Sequence, residues 1–424
     1  MTMLILFGSL FIFMALSVPI GIAIGLSSML TIYFSDSVDM TMLVQKLFTS
    51  LDSFPLMAIP FFMLAGLLMA KGGISEKILN LANQLVGWMV GGLAMVTVVA
   101  CAFFAALSGS GPATVAAIGS FMIPSMKEKN YSPGFAAAIT AAAGCIGVII
   151  PPSIPLILYG VISGTSIGEL FKAGILPGIL IAIILMIVSY RTVKKDGNVQ
   201  PEIVQVNFKT LLHSIWDAKW ALLAPVIILG GIYGGVFTPT EAAVIAIVYS
   251  FVIGTFVHKA MKWKEIKESL LETISLTGAT MYMIGTSIAF AYLLSVERIP
   301  TTIAESITSI SSNPVVILLL INIFLLFVGS FIDTIPALAM LTPILLPIAT
   351  EAGVDPIHFG IIMVVNLAIG FITPPFGVNL FIASSVGKIS IENVMKSMFS
   401  ILLFMLIGLL IITYFPALSL IFTN

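Results

Sequence analysis

The sequence predicts an all-α, polytopic membrane protein built on inverted-topology repeats, with two re-entrant helical hairpins and two proline-broken helices. Three observations carry this. Apolar residues make up 59% of the 424 and charged residues only 9%, where a soluble domain has about 25% charged. Apolar runs long enough to cross a bilayer recur from Met1 to Phe422, with a mean hydropathy of +1.17. A block shaped by glycine and proline also returns at a constant offset of 223 residues.

The first apolar run, from about Met3 to Phe34, reads as one retained helix and not a signal peptide, because it has no basic flank and no clear small-residue cleavage site. The one sizeable aqueous loop expected lies between Arg191 and Lys219. A net charge of −1 argues against nucleic-acid binding. Cys101 and Cys145 sit in apolar runs without CxxC spacing and read as small packing residues. His213, His258 and His358 fall in or beside polar connections, which leaves no general base at membrane depth. Intramembrane hydrolysis by Ser108 or Ser110 would need such a base, and an aspartyl mechanism would need a second aspartate beside Asp333. An enzyme is therefore not expected.

The repeat aligns Pro124 with Pro347, Pro133 with Pro356, Gly147 with Gly370, and Pro151-Pro152 with Pro374-Pro375. These residues shape backbone, so what repeats is a conformation: turn, helix, break, half-helix. The turn of the first copy, Lys127 to Asn130, is net basic and that of the second, Thr350 to Asp355, is acidic, which places them on opposite sides of the membrane. The basic segments Arg191–Lys195 and His258–Lys267 are separated by about two spans, Trp220 to Phe237 and Glu241 to Val257, so both can be cytoplasmic. Inverted repeats with broken helices are the architecture of secondary transporters. Proline withholds a backbone donor, so carbonyls near Gly147–Ile150 and Gly370–Thr373 lose helical partners. A small hard cation can satisfy them.

Before each copy lies a second polar break, Ala106 to Gly119 and Phe327 to Pro343, read as the two hairpins. Ser108, Ser110 and Thr114 in one, and Ser330, Asp333 and Thr334 in the other, offer oxygen ligands suited to an alkali cation. Small residues of this kind also serve close helix packing, but Asp333 is an ionisable group inside an apolar span. Thr238, Pro239 and Glu241 read as an N-terminal helix cap, with a structural role. Arg298, one of two arginines, is either an interfacial charge or a bidentate partner for a carboxylate.

The segments SGSGPATVAAIG, IPPSIPLILYG, FTPTEAAV and GVDPIHFGIIMVVNLAIGFITPPFGVNLF resemble, in order and across essentially the whole chain, the large M or DctM-type permease of tripartite ATP-independent periplasmic (TRAP) transporters. The overall likeness is greatest to sialic-acid-type members, and C4-dicarboxylate members share the motifs. The resemblance implies a sodium-coupled elevator importer of a carboxylate in a bacterial inner membrane, working with a separate small four-helix Q-type subunit and a periplasmic substrate-binding protein. It implies one sodium at Ser108, Ser110, Gly147, Ile150 and Pro152, and a second at Gly329, Asp333, Gly370, Thr373 and Pro375. Substrate is expected near Ser166, Arg298 and Asn379. The absence of a Walker A signature agrees with an ion gradient as the energy source. On this reading residues 1–75 are N-terminal scaffold, 76–190 the first repeat, 191–265 a cytoplasmic loop with scaffold helices, and 266–424 the second repeat. A channel with a static filter is the competing reading from another class.

Overall fold

A computed structural model describes residues 2–35, 39–197, 199, 207–302 and 313–423, and these are helical, with no strand among the described residues. The N-terminal run forms α1 (Thr2–Ala15) and α2 (Ile20–Ser35), which pack against each other. The single helix expected from Met3 to Phe34 is thus interrupted. Ser17 adopts φ +61°, a left-handed conformation that ends a helix, and Pro19 has no amide hydrogen to continue one. Asp39 then caps α3 (Met40–Thr49) by accepting from the Thr41 amide at 2.9 Å.

The first repeat follows α4 (Ala58–Lys71) and α5 (Ile74–Val86). Its hairpin is α6 (Gly92–Ser108) and α7 (Gly111–Glu128), and its broken helix is α8 (Pro133–Gly144), a tight turn at Cys145–Val148, then α9 (Ile154–Ser163). The long α10 (Ile167–Asp196) closes it. Within the expected aqueous segment from Arg191 to Lys219, α10 runs on to Asp196 and a further helix, α11 (Phe208–Asp217), forms. On α11, Leu212, Ile215 and Trp216 are exposed along one apolar strip while Lys209, His213 and Asp217 form a polar one, the pattern of a helix lying in a membrane interface. It meets the apolar α12 (Lys219–Tyr233) at a 59° bend, where the Lys219 ammonium stands 3.8 Å from the Trp216 ring centre.

Thr238 caps α13 (Pro239–Val252) as expected: its hydroxyl accepts from the Glu241 amide and the Glu241 carboxylate accepts from the Thr238 amide at 2.8 Å. The helix continues through a wide turn, Ile253–Val257, and α14 (Trp263–Val296) leads to the second repeat. That repeat comprises the hairpin α15 (Pro314–Gly329) and α16 (Thr334–Glu351), the broken helix α17 (Pro356–Gly370) and α18 (Val378–Gly387), then α19 (Ile391–Tyr414) and a last turn, α20 (Ala417–Leu420).

Shifting α7 by the 223-residue offset lands on the bounds of α16, and the first residue of α8 lands on that of α17. Packing obeys the same symmetry: α7 lies against α18 as α9's partner is α16, and α8 lies against α19 as α17 lies against α10. The two repeats therefore interlock. Their centre is α8 and α17, buried along Gly134–Gly144 and His358–Gly370. In α8 the run Ala136, Ala137 and Ala138, then Ala141, Ala142 and Ala143, lets neighbouring backbones approach closely. His358 departs from expectation. It stands beside the polar turn that ends at Asp355 yet is 2% exposed, with its ring nitrogen Nε2 3.2 Å from the Thr413 carbonyl, because the first turn of α17 faces α19.

Candidate functional site

The tip of the first hairpin is Ser108-Gly109-Ser110, where Gly109 takes φ +60° and turns the chain from α6 into α7. Three hydroxyls order it. Ser108 Oγ lies 3.0 Å from Thr114 Oγ1, the Thr114 hydroxyl donates to the Ser110 carbonyl at 2.7 Å, and Ser110 Oγ accepts from the Ala113 amide at 3.4 Å as the N-cap of α7. This tip sits on the break of the same repeat. The Ile154 amide donates to the Gly109 carbonyl at 3.3 Å. A β-carbon on Gly109 would stand 2.7 Å from the Pro152 carbonyl oxygen, and one on Gly147 would stand 2.6 Å from Thr114 Oγ1 and 2.7 Å from the Ser110 carbonyl oxygen. Ser108, Ser110, Gly147 and Pro152 thus lie together where the hairpin tip meets the break. Ile150 flanks them, with its amide bonded to the Ile146 carbonyl at 3.0 Å and its side chain against Gly178.

The second hairpin repeats the arrangement with different side chains. Gly329 and Gly370 meet backbone to backbone, so closely that a β-carbon on Gly370 would collide with the Gly329 carbonyl oxygen. The Phe376 amide donates to the Ser330 carbonyl at 3.3 Å, tying tip to turn as the Ile154-to-Gly109 bond does but one and two positions away from its place in the repeat. Thr373 turns inward on its own helix, its hydroxyl donating to the Ile369 carbonyl at 2.8 Å. Asp333 stands at the N-cap position of α16 and, with Gly329, Ser330 and Gly370, lines a cavity of ≈ 440 Å³ that Ile20 and Met283 close from the other side. Pro375 is exposed on the turn beyond.

Both proline pairs, Pro151-Pro152 and Pro374-Pro375, have cis peptide bonds. Among the described residues, the carbonyl oxygens of Ile150, Pro151 and Pro152, and of Thr373, Pro374 and Pro375, accept no hydrogen bond. Together with the Ser and Thr hydroxyls they make a donor set of hard, neutral oxygens, joined at the second site by one carboxylate, which fits an alkali cation. Among the described residues, no three of His, Cys, Asp and Glu cluster in a way that would hold a transition metal.

The expected substrate residues are not drawn together. Asn379 is fully buried, its amide nitrogen 3.1 Å from the Ala141 carbonyl, so it braces α18 against α8. Ser166 is the exposed N-cap of α10 and lines a different cavity, of ≈ 360 Å³, with Ser53, Thr165 and Pro239. Arg298 is exposed just past α14, at φ +54°. Sequence reasoning named Thr114 among the hairpin oxygens but not among the ligands, although its spacing of four from Ser110 on one helix face was a readable signal. It missed Phe331 and Phe376, whose rings lie 5.9 Å apart between hairpin and turn. Their pairing depends on the tertiary fold and had no sequence signal.

The family model described as the tripartite ATP-independent periplasmic transporter, DctM component, matches residues 7–418. The chain is 49% identical over 420 residues to the isethionate TRAP transporter permease protein DctMQ of Oleidesulfovibrio alaskensis, which covers 99% of this chain and 66% of that protein, a little under two thirds of it. It is 45% identical over 404 residues to the C4-dicarboxylate TRAP transporter large permease protein DctM of Pseudomonas aeruginosa, covering 95% of this chain and 94% of the other. To the sialic acid large permease protein SiaM of Vibrio cholerae it is 38% identical over 416 residues, covering 97% of each. In fold it is similar to the YdaH transporter of Alcanivorax borkumensis, with a TM-score of 0.63, 14% identity and 89% of each chain covered. A chain matched along nearly its whole length by this model, with such relatives, belongs to the DctM family of tripartite ATP-independent periplasmic transporters: it is a multi-pass membrane permease and not an enzyme.

Proposed function

We propose that this permease is the large subunit of a sodium-coupled importer of small organic anions across a bacterial inner membrane. The observation that carries the reading is the repetition of one arrangement, a hairpin tip seated on a broken helix, through Gly109 at Pro152 and through Gly329 at Gly370, beside carbonyl oxygens left without partners at Ile150–Pro152 and Thr373–Pro375. At the first site Pro151 and Pro152 are buried, where such oxygens are unfavourable unless bound, and at the second the half-buried Thr373 and Pro374 lie beside the cavity lined by Asp333, so sodium at each site would stabilise the ordered hairpin. The resulting positive charge offsets that of an anionic substrate. A loaded domain then moves at lower free energy than a partly loaded one, which is the origin of coupling in an elevator cycle. Each net positive charge moved inward gains about 2.3 kcal/mol per 100 mV of membrane potential, enough for a few ions to drive uphill uptake.

The relatives named above take a sulfonate, a C4-dicarboxylate and sialic acid, and the first two stand at higher identity than the third. Their substrates share a compact anionic head, so the substrate class proposed is carboxylate or sulfonate, and sialic acid holds no preference over the C4-dicarboxylate alternative. A periplasmic binding protein delivers the substrate and a small Q-type subunit completes the membrane assembly. The test is uptake into proteoliposomes holding this chain with its small subunit, comparing isethionate, succinate and sialic acid, each with its binding protein present or absent and with sodium replaced by potassium. Saturable uptake of one of these anions that needs both sodium and binding protein supports the proposal. Sodium-independent uptake defeats the coupling, and conductance without binding protein favours the channel reading.

A further inference from the structure

We infer that Asn322 and Asn366 are positioning residues for the second cation pocket, a role that rests on the sodium-coupled reading above. Asn366 lies on α17 one helical turn before Gly370, and Asn322 lies on α15 two turns before Gly329, so each shares a helix face with the glycine it precedes. The Asn366 amide nitrogen donates to both the backbone carbonyl and the side-chain carbonyl of Asn322, at 3.0 and 2.8 Å. The Asn322 amide nitrogen in turn donates to the Thr413 hydroxyl at 3.1 Å. Three elements are joined: the outer arm of hairpin 2, the broken helix, and α19.

All three residues are buried, at 2%, 0% and 1% exposure for Asn322, Asn366 and Thr413. Hydrogen bonds in such surroundings have no water to replace them, so sliding α15 along α17 strands amide groups in an apolar interior. The contact between Gly329 and Gly370 lies farther along the same pair of helices and is therefore held at one spacing by the clamp. That spacing places the Gly329 and Gly370 backbones beside Asp333, all three on the wall of the larger cavity.

The symmetry of the fold makes the clamp conspicuous, because its counterparts in the first repeat at the 223-residue offset are Val99, Ala143 and Tyr190, which reproduce none of it. The first pocket has its own means of order. There Ser108, Ser110 and Thr114 bond to one another at the tip, and the turn from Pro151 to Ser153 is fully packed. The second tip has no such hydroxyl triad, and its turn at Pro375 and Phe376 is exposed. Remote clamping by amides takes the place of local ordering by hydroxyls.

The experiment measures sodium half-saturation in two ways: by the sodium-induced rise in melting temperature of the purified permease complex, and by uptake at saturating substrate. Asn366→Leu and the double variant Asn322→Leu with Asn366→Leu are expected to raise the sodium half-saturation roughly tenfold, as loss of groups that orient metal ligands does elsewhere. Substrate half-saturation at saturating sodium is expected to stay unchanged. The double variant leaves neither amide unpaired and so remains folded where a single one is weakened. Thr413→Ser keeps the hydroxyl and is expected to behave as wild type, whereas Thr413→Val shifts sodium in the same direction as Asn366→Leu. A folded double variant with wild-type sodium half-saturation, or one with sodium and substrate affinities weakened equally, overturns the inference. A wild type whose melting temperature and uptake ignore sodium overturns both this inference and the coupling on which it rests.

Discussion

Cys145 Sγ stands 3.0 Å from the carbonyl oxygen of Ala368, and the two residues are each other's counterparts in the internal repeat, 223 positions apart. A residue can touch its own repeat mate only near the axis that relates the two copies. The axis therefore passes where the tight turn Cys145–Val148 after α8 meets the end of α17, at the level where both helices break. Asn379 also reaches this point, its amide nitrogen 3.8 Å from the same sulfur.

Cys145 is consequently a buried packing residue at a close contact between the two copies. Cys145→Leu should destabilise by about 1–3 kcal/mol through overpacking, whereas Cys145→Ala, which only removes the sulfur, should be tolerated far better. Thermal unfolding of the detergent-solubilised protein measures both. Equal melting temperatures for the two variants would show that the helices separate freely here.

Gly370 and Gly147 are two of the glycines that close approach requires. Gly370→Ala drives a methyl into the Gly329 carbonyl, and Gly147→Ala into Thr114 and the Ser110 carbonyl. Misplacing ligand-bearing backbone by about 1 Å is expected to lower sodium-driven uptake by on the order of a hundredfold. Gly230→Ala is the control, since nothing lies within 4 Å of its added carbon. Uptake rates at matched expression compare the three.

Among the described residues, Asp333 is the one ionisable group on the larger cavity's wall. Asp333→Asn should raise the sodium half-saturation about tenfold, and Ser110→Ala should do so at the other pocket, whether each side chain contacts the ion or orders its hairpin. If both variants kept the wild-type sodium dependence of uptake, the assignment of the pockets would be wrong.

The Thr238 and Glu241 cap belongs to stability and not to transport. Thr238→Ala removes an N-cap acceptor and should lower stability by about 1 kcal/mol while leaving uptake and its sodium dependence in place. Melting temperature and transport, measured on the same preparation, separate these effects.

Trp216 reports on the seat of α11. With its ring exposed beside Leu212 and Ile215, its fluorescence should be quenched by lipids brominated near the headgroup, and Trp216→Phe should remove a large share of that quenching. No change on substitution would put this helix away from the interface.

Much of the architecture was legible because glycine and proline act locally. Pro151-Pro152 and Pro374-Pro375 interrupt a helix in any surroundings, and charge at Lys127–Asn130 and Thr350–Asp355 gives a direction to each copy, so hairpins, breaks and inversion followed from the chain itself. The same holds for Ser108, Ser110, Gly147 and Gly370, which lie at the points where the backbone must bend. What the chain could not declare was which distant groups meet. The burial of His358 against Thr413, the Phe331–Phe376 contact and the places taken by Asn379, Ser166 and Arg298 depend on which distant segments pack together, whereas the division at Ser17 is local and set by Pro19. Asn322 and Asn366 show the reason most plainly. Each is an ordinary polar residue in an apolar helix until packing sets one against the other, and only then does the absence of water make their hydrogen bonds decisive.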